Sequence, residues 1–175
     1  MISATMAEQL NHQINRELYS AYLYLGLSAQ ATAANLRGAT AWFMAKYNEE
    51  MAHSLKMYHY LIDQDVPIQL QEIAAPPGES RTILEMFQQT LAHEQEVTAA
   101  IHALVDLAVQ ERDHATNVFL NWFVTEQIEE EATVKEIIGR LKLFGDHGQG
   151  LLLIDNELAT AAQQMRAAAA AANTP

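Results

Sequence analysis

The amino-acid sequence predicts an all-α protein: a four-helix bundle with one long crossover, followed by a short fifth C-terminal helix. Three observations lead there. Apart from Gly26 and the terminal Pro175, the seven glycines and four prolines cluster at Gly38, Pro67, Pro76-Pro77-Gly78, Gly139, Gly145, Gly148 and Gly150. The segments between run about 25–30 residues, too long for strands and suited to helices about 40 Å long. The stretch from Pro67 to Gly78 lacks helical periodicity, and fully extended it reaches roughly 40 Å, the length of one such helix. A connection that long lets the second and third helices run parallel.

The elements follow in order, within one domain spanning residues 1–175. Helices are expected over 5–34, 38–65, 80–111, 114–143 and 147–165. Thr5 with Glu8, and Thr82 with Glu85, have the spacing of capping boxes. Asp113 and Asp146 are candidate N-caps for the fourth and fifth helices. The tail 166–175, six alanines and then Asn-Thr-Pro, is expected to fray. Leu151, Ile154, Leu158, Ala161 and Met165 form an apolar stripe with no slot in a four-helix bundle, so burial against other copies of the chain is expected.

Composition narrows the function. Half of the residues are apolar, enough to build a core. No apolar run approaches the length of a membrane span. Ten basic against 22 acidic residues leave a net charge of −12, which disfavours nucleic acids and anionic membranes and favours cations. Cysteine is absent, which excludes disulfides, thiolate catalysis and iron–sulfur clusters. The first residues lack a secretory signal, so the cytoplasm is the expected compartment.

Each of the four long helices carries one glutamate in its apolar seam. The first seam reads Leu10, Ile14, Glu17, Ala21, Tyr24, Ser28; the second reads Phe43, Tyr47, Glu50, Ser54, Met57, Leu61. The third passes through Phe87, Leu91, Glu94, Thr98 and Ile101, and the fourth through Phe123, Gln127, Glu130, Val134 and Leu141. With the helix directions above, the four glutamates all fall about 18–24 Å above the bundle base. Buried carboxylates without partners cost several kcal/mol each. No lysine or arginine is expected on these seams at mid-height, which leaves shared protons or bound metal. His53, three residues after Glu50, adds a nitrogen on the same helix face. Four carboxylates and one imidazole suit iron or manganese.

Glu17, Tyr24, Glu49-Glu50-Met51-Ala52-His53, Glu94, Trp122 and Glu126-Gln127-Ile128-Glu129-Glu130 give the chain, over roughly residues 5–165, a resemblance to the non-haem bacterial ferritins. The resemblance implies iron storage and detoxification, with ferroxidase oxidation of Fe(II) by O2 or peroxide and a ferric mineral inside a 24-subunit shell. It implies a first iron on Glu17, Glu50 and His53, and a second on Glu50, Glu94 and Glu130, with Glu50 bridging. Gln127 resembles the glutamine beside that centre, and Tyr24 and Trp122 resemble its redox-active aromatics. Glu49, Glu126, Glu129 and Glu130 match a third iron site, expected to be all-oxygen. A bacterioferritin would repeat Glu-x-x-His on the fourth helix, where this chain has Gln127 and Glu130; Met51 alone does not imply haem, and none is expected. Asn117 and Leu120 stand where animal ferritins have entry-channel carboxylates. A rubrerythrin-like or other di-metal oxidase without storage is the alternative. His12, His59, His93, His102, His114 and His147 lack partners at ligand spacing and are expected at surfaces or interfaces. Trp42, Phe43 and Met44 are expected in the core or a subunit contact.

Overall fold

The computed structural model describes residues 2–78, 80, 82–145 and 147–172. Five helices account for most of them: α1 (Ala4–Ala33), α2 (Arg37–Asp63), α3 (Ile83–Glu111), α4 (His114–Phe144) and α5 (Gly148–Ala172).

Local chemistry sets their ends. The N-cap of α1 is Ser3, whose Oγ accepts from the Met6 amide at 3.0 Å. The capping box expected at Thr5 and Glu8 does not form; both lie inside the helix and are exposed. Ser3 Oγ also donates to the Glu111 carboxylate, fixing the start of α1 beside the end of α3. Thr82 and Glu85 do form a capping box, so α3 begins at Ile83, three residues later than expected. Asp113 caps α4 by accepting from the Thr116 amide at 3.0 Å. The expected cap Asp146 lies outside the described residues. Asn35, Asp65 and Arg112, all at positive φ, reverse the chain after α1, α2 and α3. α5 runs on through the alanine run to Ala172. The helix thus extends past residue 165, where it is expected to end, in keeping with the high helix propensity of alanine.

The crossover stretches along the length of α1. Asn11 accepts from the Gln69 amide and donates to the Pro67 carbonyl. Asn15 donates to the Glu72 carbonyl, and near the far end of α1 Gln30 accepts from the Ser80 amide. α2 and α3 therefore run parallel. Antiparallel side-chain pairs join α1 to α3 (Ser3–Glu111, Ser20–His93) and α2 to α4 (Tyr60–Thr116, Lys46–Glu130).

The core is split in two. One apolar cluster, with Met6, Leu10, Met57 and Leu120, fills the end where α1 and α4 begin. The other, with Leu27, Trp42, Phe43 and Phe87, fills the opposite end. α5 closes that second end: Ile154, Leu158 and Ala162 are buried in the same cluster as Trp42. The expectation that its apolar stripe is stranded in one subunit is thus corrected. A four-helix bundle has an open end, and Gly38 lets α5 approach it, because a Cβ there would overlap the Asp155 carbonyl. Leu152 and Leu153 remain exposed on the outer side of α5.

Candidate metal centre

Between the two apolar clusters lies a polar layer drawn from all four long helices. Glu17, Lys46, Glu50, His53, Glu94, Gln127 and Glu130 are all buried there. The 3.6-residue repeat that aims each seam inward aims these side chains inward with it. Helix directions fixed by the crossover bring the four glutamates to one level.

Glu17, Glu50 and His53 converge most tightly: each offers one ligand atom within 4.8 Å of the other two. His53 Nδ1 lies 3.4 Å from Glu50 Oε2. Gln13, one turn before Glu17, donates to Glu17 Oε1 at 2.8 Å. Glu94 is held from two sides, with the Tyr24 hydroxyl donating to Oε1 at 2.5 Å and Gln127 Nε2 donating to Oε2 at 3.1 Å. Gln127 Nε2 also lies within hydrogen-bond reach of Thr98 Oγ1. Tyr24 itself is fully buried, with Phe43 and Trp42 against its ring.

Glu130 is paired with Lys46, and this overturns the expectation that no basic residue reaches the layer. Lys46 is 3 % exposed; its Nζ donates to Glu130 Oε1 and, at 2.7 Å, to Glu49 Oε2. The signal was present in the sequence. Lys46 stands one turn before Glu50, on the 46–50–53–57 row beside the seam, and a lysine stem spans that offset.

The electrostatics follow from burial and crowding. Burial, then the charge of Glu50, hold the Glu17 carboxyl well above the ordinary range. Burial and Glu50 push Glu94 up to about 7. Burial pushes Glu130 up to about 8, with Lys46 pulling against it. Glu50 goes the other way, because His53 and Lys46 outweigh its burial. His53 rises to about 9, since contact with the Glu50 carboxylate outweighs burial. For Lys46 burial favours the neutral amine, but Glu130, Glu49 and Glu50 outweigh it and keep the ammonium. Burial, and then the carboxylate charges, hold the Tyr24 hydroxyl protonated. The layer is therefore compensated by protons and one ammonium. Metal cations could replace both, with release of the protons.

The expected third set is only partly gathered. Glu49 and Glu126 are partly exposed and offer ligand atoms within 4.8 Å of each other and of His53, so an imidazole stands beside a group expected to be all-oxygen. Glu129 is exposed and belongs to neither convergent group among the described residues. Trp122 is half exposed, edge-on to His53 at 5.2 Å, with the Lys56 ammonium 4.2 Å from its ring centroid. Of the six histidines expected at surfaces or interfaces, four are exposed and His12 is partly so; the sixth is His93. It is partly buried, shares a 2.7 Å hydrogen bond with Ser20 Oγ and packs edge-on against Tyr19.

The ferritin-like domain model matches residues 7–144. The chain belongs to the ferritin family. The match ends at Phe144, the last residue of α4, so α5 falls outside it. The bacterial non-heme ferritin of Campylobacter jejuni is 40 % identical over 155 residues, covering 89 % of this chain and 93 % of its own. That of Escherichia coli O157:H7 is 39 % identical over 160 residues, covering 91 % and 97 %. Among solved structures, an open-pore ferritin from the hyperthermophilic archaeon Archaeoglobus fulgidus superposes with a TM-score of 0.89 at 40 % identity, covering 91 % of this chain and 98 % of that one. A humanized archaeal ferritin gives the same TM-score at 42 % identity, covering 91 % and 96 %. In this ferritin Leu120 is buried in the cluster at the end where α1 and α4 begin, so it cannot line a channel. Asn117 is partly buried.

Proposed function

We propose that each subunit takes up two Fe(II) ions in the polar layer, oxidises them with O2 or peroxide, and passes the ferric product to a mineral inside a hollow homo-oligomer of 24 subunits. The chain is an iron-storage ferritin; the residue roles and the oxidant are our reading. The observation that carries it is the buried convergence of Glu17, Glu50 and His53 at the level of Glu94 and Glu130. In this reading Glu17, Glu50 and His53 hold the first ion, and Glu50, Glu94 and Glu130 hold the second. Two Fe(II) ions carry the charge that four carboxylates balance, so loading drives off the protons that burial places on Glu17 and Glu94.

Oxidation removes one electron from each ion. O2 accepts the pair with two protons and leaves as H2O2; with peroxide as oxidant the same pair yields two waters. Gln127 orients Glu94 through its 3.1 Å hydrogen bond, and Tyr24 holds the other oxygen. In this reading Glu49 and Glu126, gathered beside His53, serve with Glu130 and the exposed Glu129 as a looser third position on the way out of the centre, and the cytoplasm is the compartment the sequence favours. The relatives and solved structures reported above are ferritins, so a di-metal oxidase without storage has nothing to favour it.

The test is rapid-mixing absorbance after adding two Fe(II) per subunit. Glu50→Ala removes the residue common to both positions and is expected to slow the first oxidation more than about tenfold, with slow mineral growth surviving. An initial rate equal to wild type in that variant overturns the assignment.

A further inference from the structure

We propose that Lys46 is a resident cation that the second iron must displace, so that the subunit loads its two ions in order. The inference rests on the di-iron reading above. The two halves of the centre differ in how ready they are. Glu17, Glu50 and His53 already converge around one point. Glu130 does not join them: its Oε1 is taken by the ammonium of Lys46, which also holds Glu49 Oε2 at 2.7 Å. Nζ thus bridges a carboxylate of the inner pair and one at the rim.

An ammonium and a divalent cation compete for the same oxygen lone pairs, and in a buried layer like charges a few ångströms apart repel strongly. Iron and Lys46 therefore compete for Glu130 Oε1, and iron on the other oxygen would still meet the ammonium's repulsion. The first ion meets no such obstacle, since none of its three ligands holds the lysine. When the second ion arrives, Lys46 has somewhere to go. Its stem is flexible, and Glu49, with its side chain 32 % exposed, already holds it from the solvent side. The lysine then withdraws onto Glu49 alone. Its positive charge stays beside the filled centre and weakens the hold on the second ion, which favours turnover over permanent occupancy. Lys46 is a positioning residue here, since it acts through Glu130.

The experiment is calorimetric titration of the assembled, metal-free protein with Zn(II), which binds without redox chemistry, alongside thermal unfolding with and without Zn(II). Wild type is expected to show two unequal steps per subunit, both weakened in Glu50→Ala. Lys46→Met keeps the apolar stem and removes the charge. It is expected to tighten the second step by about tenfold or more while moving the first by less than about threefold. It should also lower the unfolding temperature of the metal-free form, with Zn(II) restoring it. Lys46→Arg keeps a cation and is expected to leave the second step weak, which serves if Lys46→Met does not assemble. Unchanged or weaker second-step binding in Lys46→Met, or a tightened second step in Lys46→Arg, overturns the proposal while the di-iron reading stands. Wild type without Glu50-dependent Zn(II) binding overturns both.

Discussion

Asp155 Oδ1 accepts a hydrogen bond from the Ala39 backbone amide at 2.9 Å, so the fifth helix supplies the cap that the second helix lacks. Leu36, at the N-cap of α2, offers no side-chain acceptor, and the first-turn amides of a helix have no partners within it. A carboxylate there also faces the positive end of the helix dipole. The joint that docks α5 is thus also the joint that finishes α2.

Gly38 decides whether that joint can close. On an open helix surface Gly→Ala stabilises by about 1 kcal/mol. Here the added methyl would overlap the Asp155 carbonyl, backbone that cannot yield without moving α5. Gly38→Ala is expected to destabilise by about 1–3 kcal/mol, and Asp155→Ala by about 1 kcal/mol. Thermal unfolding measures both, and native mass spectrometry shows whether the assembly survives. A higher unfolding temperature in Gly38→Ala would falsify the account of the α5 joint.

The Tyr24 hydroxyl donates to Glu94 at 2.5 Å, closer than the 3.1 Å of Gln127 Nε2. Tyr24→Phe keeps the ring against Phe43 and Trp42 and removes only the donor. The expected stability cost is about 1 kcal/mol, with two Zn(II) still bound per subunit. If the hydroxyl also takes part in electron transfer to the oxidant, the first Fe(II) oxidation slows by severalfold at unchanged metal stoichiometry. Rapid-mixing absorbance against calorimetry separates the two effects, and an unchanged rate removes Tyr24 from the chemistry.

The seams were legible because a helix repeats every 3.6 residues: Glu17, Glu50, Glu94 and Glu130 are buried at one level, as their spacing predicts. The crossover was legible because an extended chain has a fixed reach. Lys46 was not read, because it lies on the row beside the seam and arrives through a long stem rather than by register. The cover that α5 provides was not read either. It depends on how helices cross at the bundle end and on a glycine that permits contact, neither of which periodicity encodes. Glu129 matched a motif, yet its position on α4 turns it to solvent.

Protons compensate the buried carboxylates of the metal-free protein, so its stability should depend on pH. Glu94 and Glu130 bind protons more tightly folded than unfolded, at about 7 and about 8 against an ordinary 4.5. His53 does so at about 9 against 6.5. For groups raised on folding, the stabilisation is complete below the unfolded value and is lost as pH rises through the folded one. The metal-free protein is therefore expected to unfold at a lower temperature at pH 9 than at pH 5, by about 5 °C or more. Saturating Zn(II) should remove that slope above pH 7, since metal then supplies the charge. A metal-free protein whose unfolding temperature rises across this range would sink the argument.

The rim carboxylates are separable from the inner pair. Glu49 is engaged by Lys46, Glu126 faces His53 in a loose group, and Glu129 is exposed. Ligands that are partly solvated and imperfectly gathered hold iron weakly and suit transit rather than residence. Changing all three to Ala should slow the first two-iron oxidation no further than Glu49→Ala alone does, since Glu49 also seats the displaced Lys46. The same variant should alter the iron-to-oxidant stoichiometry and slow the recovery of activity between successive iron additions. The geometry also ranks the single changes. Glu126→Ala removes a group that shares the His53 side of the centre, so its effect on recovery should exceed that of Glu129→Ala, which removes only a solvated carboxylate. Repeated additions of two Fe(II) per subunit, followed by rapid-mixing absorbance and oxygen consumption, give both readouts. If the triple variant recovers as wild type does with unchanged stoichiometry, the three are ordinary surface carboxylates and iron leaves the centre by another path.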